Sequence, residues 1–234
     1  MENKIDIAFD VYSDTPKGRD PDSHSKTLRR YHQLLWTKPL PSGVNFILSD
    51  EIPRKLYHKS ELGDFLLSSD SIGHTYKSTK AMSQITKKIP SHEMDHFFSV
   101  CSSIGAYMVF PANKIDNRMT INMSRGLNRS IKDRFDLTLE CIRLFYTNMQ
   151  SPLTETFKRY SSFFNLFQSF KGYANFFLLQ DLIDPVSFKI NFWLPFENFD
   201  KSPLPKNVNE YLKYKRNAIN FIKKRNIRIA KCNK

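Results

Sequence analysis

The segment over residues 120–148, TINMSRGLNRSIKDRFDLTLECIRLFYTN, constrains the fold of this chain more than any other. Its pattern predicts a short strand, a turn that contains Gly126 and a long helix over residues 127–148. At 100° per residue, five charged side chains of this helix fall within an arc of about 80°. They are Arg129, Asp133, Asp136, Glu140 and Arg143. Because the other positions are largely apolar, we expect a mostly buried helix whose charged stripe faces a cleft or its own ion-pair partners.

The stripe carries residue types that suit a binding or catalytic site. Asp136 and Glu140 lie on adjacent helical turns and are the candidates for acid/base chemistry or cation binding. Arg125, Arg129 and Arg143 are the candidate phosphate contacts, since a guanidinium group binds phosphate oxygens in pairs. The alternative is structural: the same charges form intrahelical ion pairs, each contributing roughly 0.2–0.5 kcal/mol.

A second group of candidates lies near the start of the chain. Asp20 and Asp22 flank a proline and are candidate ligand contacts, although Asp-Pro-Asp is also ordinary turn chemistry. His32, in a helix predicted over residues 28–36, is a candidate catalytic base because histidine titrates near neutral pH. The alternative for His32 is a structural histidine among aromatic neighbours.

Residues 92–96 read His-Glu-Met-Asp-His. On a helix, two histidines four residues apart can bind zinc, and the glutamate between them can act as general base. The motif lies at the start of a predicted helix, however, and no third ligand follows at the spacing of the extended zinc-protease motif. Asp116 and Glu140 are possible third ligands. We therefore assign no metal in the main interpretation and keep His92 and His96 as an alternative zinc site.

The net charge of +13 is unevenly distributed. Residues 201–234 hold 11 basic residues and one acid, Glu210, whereas residues 1–200 carry a net charge of only +3. The basic residues belong to an amphipathic helix predicted over residues 208–229. This helix either binds an anionic partner or docks on the rest of the chain. The net charge alone is therefore a poor argument for nucleic-acid binding by the main body.

The remaining pattern is typical of an α+β fold with an antiparallel or mixed sheet and about three principal helices. A high hydrophobic content of 40%, including 20 phenylalanines, supplies a core. We expect a core domain over residues 1–200, with the basic helix and tail over residues 201–234 docked on it. The strands are predicted over residues 5–12, 44–48, 106–110, 119–123 and 187–194, and a short helix over residues 61–67.

The sequence also indicates a compartment. Three cysteines without metal-type spacing favour a reducing environment. The first ten residues lack the pattern of a signal peptide, and no apolar run approaches the ~18 residues of a membrane span. We therefore expect a cytoplasmic protein without a transmembrane segment.

Four segments resemble a bacterial family of hypothetical proteins, catalogued as a domain of unknown function. They are GRDPDSHSKTLRRYHQLLWTKPLPSG (18–43), IGAYMVFP (104–111), TINMSRGLNRSIKDRFDLTLECIRLFY (120–146) and SPLTETFKRYSSFFNLF (151–167). The resemblance covers most of residues 5–225 and implies one domain over nearly the whole chain. It implies no activity, cofactor or catalytic residue, because none is established for that family.

The sequence therefore favours a cytoplasmic bacterial protein that binds a phosphate-bearing ligand, either a nucleotide or a nucleic acid, in a cleft beside the helix over residues 127–148. One alternative is a zinc-dependent hydrolase that uses the motif at residues 92–96. The other is an interaction protein without chemistry, whose charged stripe is a structural ion-pair network. The sequence identifies no cofactor and leaves open whether the protein is an enzyme.

Overall fold

The computed structural model describes residues 4–49 and 51–232. This part of the chain forms ten α-helices and two small antiparallel sheets, which confirms the α+β class and a single domain. The helices are α1 (Pro21–His24), α2 (Lys26–Trp36), α3 (Ser83–Thr86), α4 (Ser91–Cys101), α5 (Ile121–Leu127), α6 (Phe135–Tyr146), α7 (Thr154–Arg159), α8 (Ser161–Asn165), α9 (Phe170–Phe176) and α10 (Val208–Cys232). The strands are β1 (Lys38–Pro39), β2 (Asn45–Phe46), β3 (Leu56–Ser60), β4 (Gly63–Ser71) and β5 (Tyr107–Pro111).

Strand β4 is the centre of the larger sheet, whose order is β3-β4-β5. Along β4 the buried side chains alternate, with Phe65, Leu67 and Ser69 facing the core. The register pairs Asp70 with Met108 of β5, so the end of β4 lies beside the start of the fully buried β5. The end of β4 therefore carries polar side chains to the edge of the core.

Three predicted helices are confirmed by the structure. Helix α2 begins where the Ser25 side chain accepts a hydrogen bond from the Leu28 N–H, as is usual for an N-cap serine. Helix α4 begins after Pro90, and α10 covers the predicted basic segment. In each case the capping residue or the apolar periodicity is a local signal, so a single sequence suffices to locate the helix.

Several other predictions are wrong. Residues 5–12 form turns rather than a strand, because the side chains of Asp6 and Asp10 accept hydrogen bonds from the N–H groups two residues further on. Residues 61–67 lie in the β3–β4 hairpin rather than in a helix, and residues 187–194 contribute one isolated bridge. Residues 119–123 include the start of α5, where the Thr120 hydroxyl caps the helix by accepting from the Met123 N–H.

The long helix predicted over residues 127–148 is interrupted. Helix α5 ends at Leu127 and α6 begins only at Phe135. Between them, Lys132 and Asp133 adopt left-handed backbone conformations, with φ values of 45° and 59°, which an α-helix cannot contain. The interruption turns Asp133 away from the helix that carries Asp136 and Glu140.

The core is rich in aromatic side chains, and nine of the buried ones come from residues 157–177. The phenylalanine rings of α7, α8 and α9 pack edge to face or tilted, with centroid separations such as 5.0 Å between Phe157 and Phe164. Such contacts add to the stabilisation from burial alone. The phenylalanine-rich run therefore belongs to the core.

Helix α10 closes the core on one side. It packs on α4, on the turn Ile104–Ala106 and on the turn Gln180–Leu182. The fully buried Arg225 donates hydrogen bonds to the backbone carbonyls of Phe177, Gly105 and Tyr107, at 3.1, 3.0 and 2.7 Å. A basic side chain therefore anchors the helix by satisfying backbone groups that would otherwise be buried without partners. Among the described helices, none is both long and apolar enough to cross a membrane.

Candidate metal centre

Three side chains from separate parts of the chain converge beside the end of β4. They are Asp70 from β4, His74 from the segment after it, and Asp133 from the interruption between α5 and α6. One potential ligand atom from each lies within 4.8 Å of the other two. Two carboxylates and an imidazole are a ligand set for divalent cations such as Zn²⁺ or Mn²⁺. A cation at ordinary bond lengths needs ligand atoms about 3.0–3.4 Å apart, so the three ligand atoms would have to approach one another more closely to bind it.

Asp70 is held in place by Arg125. The Arg125 Nη1 donates to Asp70 Oδ2 at 2.9 Å, while Asp70 Oδ1 accepts from the Ser71 N–H at 2.9 Å. The guanidinium is fully buried and also donates to Thr138 Oγ1 and to the Asp133 carbonyl, each at 3.4 Å. Arg125 therefore acts as a support that orients the carboxylate, rather than as a group open to a ligand.

Asp133 reaches the cluster because of its local backbone. Its N–H donates to the Arg125 carbonyl at 3.2 Å, so the left-handed turn folds back onto α5. The Tyr76 hydroxyl fixes the same turn by donating to the Lys132 carbonyl at 2.8 Å. A Cβ on Gly126 would lie only 3.1 Å from Asp133 Oδ2, so the absence of a side chain at Gly126 leaves room for the carboxylate. Asp and Asn tolerate left-handed φ better than most residues, and a strained turn of this kind is common at functional sites.

His74 is positioned through its backbone. The Tyr214 hydroxyl of α10 accepts from the His74 N–H at 3.2 Å and donates to the His74 carbonyl at 2.8 Å. The imidazole Nε2 lies 4.0 Å from Asp133 Oδ1, too far for a hydrogen bond. It is also shielded from solvent and has no hydrogen-bond partner among the described residues. A polar nitrogen in that condition is stabilised by a ligand that accepts its lone pair.

The ionised groups of the cluster carry a net negative charge. Asp70 pairs with Arg125, whereas the basic side chain within 4.0 Å of the Asp133 carboxylate, among residues 4–49 and 51–232, is the His74 imidazole. With a neutral imidazole, the three ionised groups sum to one negative charge. Burial raises the pKa of Asp70 above its usual value, the pull of Arg125 and His74 opposes that rise, and Asp133 adds to it. A divalent cation would compensate the negative charge and hold Asp70 ionised.

A cavity of about 340 Å³ adjoins the cluster at Asp70 and His74. Its far wall is aromatic: Tyr12 and Phe98 stack at 5.3 Å, and both are partly exposed. Its charged lining is acidic, since Asp20 and Asp70 contribute to it. A bare phosphate would therefore be repelled, whereas a phosphate bound to a cation would not. Hydroxyl groups line the same space, from Ser69, Ser71, Thr75, Ser78 and Ser102.

The predicted stripe does not form a shared site. Asp136 is fully buried, where it pairs with Arg134 and accepts a hydrogen bond from the Trp193 N–H at 2.9 Å. Glu140 is bound by Arg143 through two hydrogen bonds of 2.7 Å. Arg129 is exposed on the turn after α5. Asp136, Glu140 and Arg143 therefore each have an ion-pair partner within the fold.

A second, smaller cavity of about 140 Å³ lies beside the start of α6 and is lined in part by Arg134 and Leu137. None of the five residues of the predicted charged stripe lines this cavity. The Arg134 guanidinium there already donates to Asp136 and to the Pro203 carbonyl, the latter at 2.9 Å. It has little capacity left for a ligand.

The N-terminal candidates have separate positions. His32 is completely buried, and its Nδ1 accepts from Trp36 Nε1 at 3.0 Å. Burial and the nearby Arg225 lower the pKa of His32 to about 3, so it stays neutral and cannot reach a ligand in solvent. Asp22 is buried and accepts from the backbone and hydroxyl of Ser69, whereas Asp20 is exposed and lines the cavity. Of the three, only Asp20 lies at the site.

The alternative zinc motif lies on α4. His92 and His96 are exposed, and Glu93 forms an ion pair with Lys215 of α10. In the part of the chain that the structure describes, no group of three potential ligands includes either histidine. The glutamate that the hydrolase interpretation requires as a base is thus engaged as a structural acceptor.

The sequence pattern points to Arg125, Asp133 and Asp20, whereas Asp70 and His74 lie outside every predicted site. The latter two lie in a segment of short polar residues, SSDSIGH, without a recognised motif. A strand assignment for residues 63–71 would have placed Asp70 at a strand end, where polar side chains often form sites. No local pattern connects that end with residues 125 and 133.

Comparison with known proteins agrees with the single-domain organisation. The family model described as "Family of unknown function (DUF6994)" matches residues 5–229. The comparison with curated proteins gave no match, and neither did the comparison with solved structures. Because the match covers nearly the whole chain, including α10, the protein belongs to the family of unknown function DUF6994.

Proposed function

We propose that the protein binds a divalent cation through Asp70, His74 and Asp133, and through that cation the phosphate of a small ligand in the adjoining cavity. The observation that carries this proposal is the unpartnered His74 Nε2 among two carboxylates, with all three ligand atoms within 4.8 Å. We retain the phosphate-bearing ligand expected from the sequence. Its phosphate contacts the bound cation rather than arginine side chains. Arg125, the best placed of the predicted arginines, is a support for Asp70.

The cation can be tested directly. After chelation, the protein is titrated with Mn²⁺, Zn²⁺ and Mg²⁺ by isothermal calorimetry, and thermal unfolding is followed in parallel. A specific site predicts one equivalent of at least one cation and a stabilisation of about 2.7 kcal/mol when the free cation is at 100 times its Kd. No saturable binding of any of the three cations contradicts the proposal.

The variants His74→Ala and Asp133→Asn locate the site. Asn tolerates the left-handed conformation of residue 133, so Asp133→Asn changes the ligand with little strain in the turn. Each variant should weaken cation binding at least tenfold. The matched control is His92→Ala/His96→Ala, which removes two exposed histidines. If this control abolishes binding and His74→Ala does not, the zinc alternative is favoured over the Asp70–His74–Asp133 centre.

Phosphate binding is tested by titrating the cation-loaded and the chelated protein with inorganic phosphate and with adenosine monophosphate. We expect saturable binding only with the cation present, because the charged groups lining the cavity are acidic. Equal binding by the chelated protein would show that the cation does not bridge the ligand. Cation binding without any phosphate binding would keep the metal centre and remove the phosphate ligand.

A further inference from the structure

Helix α10 directs some of its cations inward and others outward. Lys215 pairs with Glu93, Arg228 pairs with Asp181, and Arg225 donates to three backbone carbonyls. These three side chains therefore stabilise the fold through contacts within the protein. The other described cations of the helix are Lys213, Arg216, Lys223, Lys224 and Lys231, which we call the basic face.

The basic face is exposed and narrow. All five side chains are exposed, and at 100° per residue they fall within an arc of about 100°. The other exposed positions in that arc are Asn209, Asn220 and Ile227, so the arc contains no acid. Within residues 4–49 and 51–232, none of the five cations forms an ion pair.

The spacing of these charges suits an extended polyanion. From Lys213 to Lys231 the helix rises about 27 Å, at 1.5 Å per residue. This length is close to one turn of duplex DNA, about 34 Å, along which phosphates present a dense line of negative charge. Five cations along this length can therefore contact several phosphates without a change in the fold.

A lipid surface fits the helix less well. Helices that bind membranes insert their apolar side about 5–10 Å into the lipid. The apolar side of α10 is buried against the protein through Tyr211, Tyr214 and Ile222, and Ile227 is the single exposed aliphatic residue in the arc. Charge is thus the main attraction that this surface offers to a partner.

We propose that the basic face of α10 binds the sugar–phosphate backbone of nucleic acid without sequence selectivity. This inference is independent of the cation centre, since no residue of the basic face belongs to that cluster. The five cations add their charge at one surface, whereas the main body of the chain is nearly neutral. Binding of this kind depends strongly on salt, because bound cations displace counterions from the phosphates.

The experiment is fluorescence anisotropy with a labelled DNA duplex of about two turns at several KCl concentrations, with chelator present so that the cation centre is empty of metal. Five phosphate contacts predict a slope of about −4.5 in log K against log salt concentration. The variant Lys223→Gln/Lys224→Gln should reduce the size of the slope by about 1.8 and weaken binding at low salt. Its side chains are exposed, so folding should be unaffected.

The matched control is Lys59→Gln/Lys114→Gln, which removes two exposed lysines that lie outside α10. It should keep the wild-type slope. If the two double variants have the same slope, the basic face is not the contact and the proposal is overturned. It is equally overturned if the wild type binds vesicles containing about 30% phosphatidylserine but not DNA, because lipid is then the preferred polyanion.

Discussion

Asp22 is a carboxylate that the fold uses for hydrogen bonding inside the protein. It is almost completely buried, and its Oδ1 accepts from the Ser69 N–H at 2.7 Å and from the Ser69 hydroxyl at 2.8 Å. Burial raises the pKa of Asp22 to about 6, and the hydrogen bonds from Ser69 only partly oppose that rise. The side chain ties α1 to the strand that carries Asp70, so its protonation state bears on stability.

We predict that Asp22→Asn changes the pH dependence of stability. Because the pKa of Asp22 is higher in the folded state than the ordinary value, the folded state holds the proton more tightly. The contribution of Asp22 is fully present below about pH 4 and is lost as the pH rises through about 6, at most about 3 kcal/mol. Asn cannot titrate but can still accept from Ser69.

The measurement is urea unfolding of wild type and variant at several pH values between 4 and 7. The difference in the free energy of unfolding, variant minus wild type, should increase with pH across that range. Parallel curves for wild type and Asp22→Asn would contradict the prediction.

Single residues also show what the sequence could reveal of the site. Arg125 and Asp133 stood out because they are charged residues in an apolar segment, and both lie at the cluster. The role of Arg125 cannot be inferred from the local sequence, since its side chain contacts a strand 55 residues earlier in the chain. His74 carries no local signal, and its part in the cluster arises only from tertiary contacts.

At the scale of elements, the sequence predicts the helices that have a clear cap or a long apolar period. It does not predict where left-handed backbone conformations interrupt a helix. Helix α2 has a capping serine, and α10 has a long apolar period. The interruption between α5 and α6 depends on Lys132 and Asp133 in left-handed conformations. Neither lysine nor aspartate requires that conformation. The helical period of the sequence therefore continues through residues 128–134, where tertiary contacts impose a turn.

The link between α10 and the cation centre gives a prediction at this scale. The Tyr214 hydroxyl bonds both the N–H and the carbonyl of His74. In Tyr214→Phe, those two backbone groups lose a partner while the packing of the ring is retained. We expect the affinity for the cation to fall by roughly threefold to tenfold, since support of this kind orients a ligand.

Calorimetric titration with the cation that the wild type binds measures this effect. The control is Tyr160→Phe, which removes another buried hydroxyl bond, to the Asn113 carbonyl at 2.8 Å. It should lower stability by about 1 kcal/mol and leave the affinity for the cation unchanged. An equal loss of affinity in both variants would mean that Tyr214 acts through general stability.

At the scale of the whole molecule, α10 is as much a part of the core as any strand. Its buried side includes Tyr211, Tyr214, Ala218, Phe221 and Ile222, and it covers α4 and the turn before β5. One family match spans nearly the whole chain and runs on to residue 229, as the resemblance of the four segments implies. The positive charge of α10 is concentrated on its exposed side, whereas its apolar side belongs to the core.

We predict that a chain ending at residue 207 does not fold. Removing α10 exposes the aromatic core and leaves the carbonyls of Phe177, Gly105 and Tyr107 without the Arg225 guanidinium. The loss exceeds the 5–15 kcal/mol of stability typical of a domain. Circular dichroism during urea unfolding should show no cooperative transition.

The point variant Arg225→Met keeps the helix and removes only the bonds to the carbonyls. It should fold with a free energy of unfolding lower by about 3 kcal/mol or more. A cooperative transition in the truncated chain, with stability near that of the full chain, would show that residues 4–207 form the domain without α10.

The contacts of α10 also set an order of events during biosynthesis. Ribosomes release a chain from its N-terminus at about 5–20 residues per second, and domains generally fold as units. Here β4 and β5 emerge long before Tyr214 and Arg225, whose bonds secure the segment after β4 and the start of β5. We therefore expect the aromatic interior to stay uncovered until the segment of residue 225 has left the exit tunnel. For that interval we expect the nascent chain to expose apolar surface to which chaperones bind.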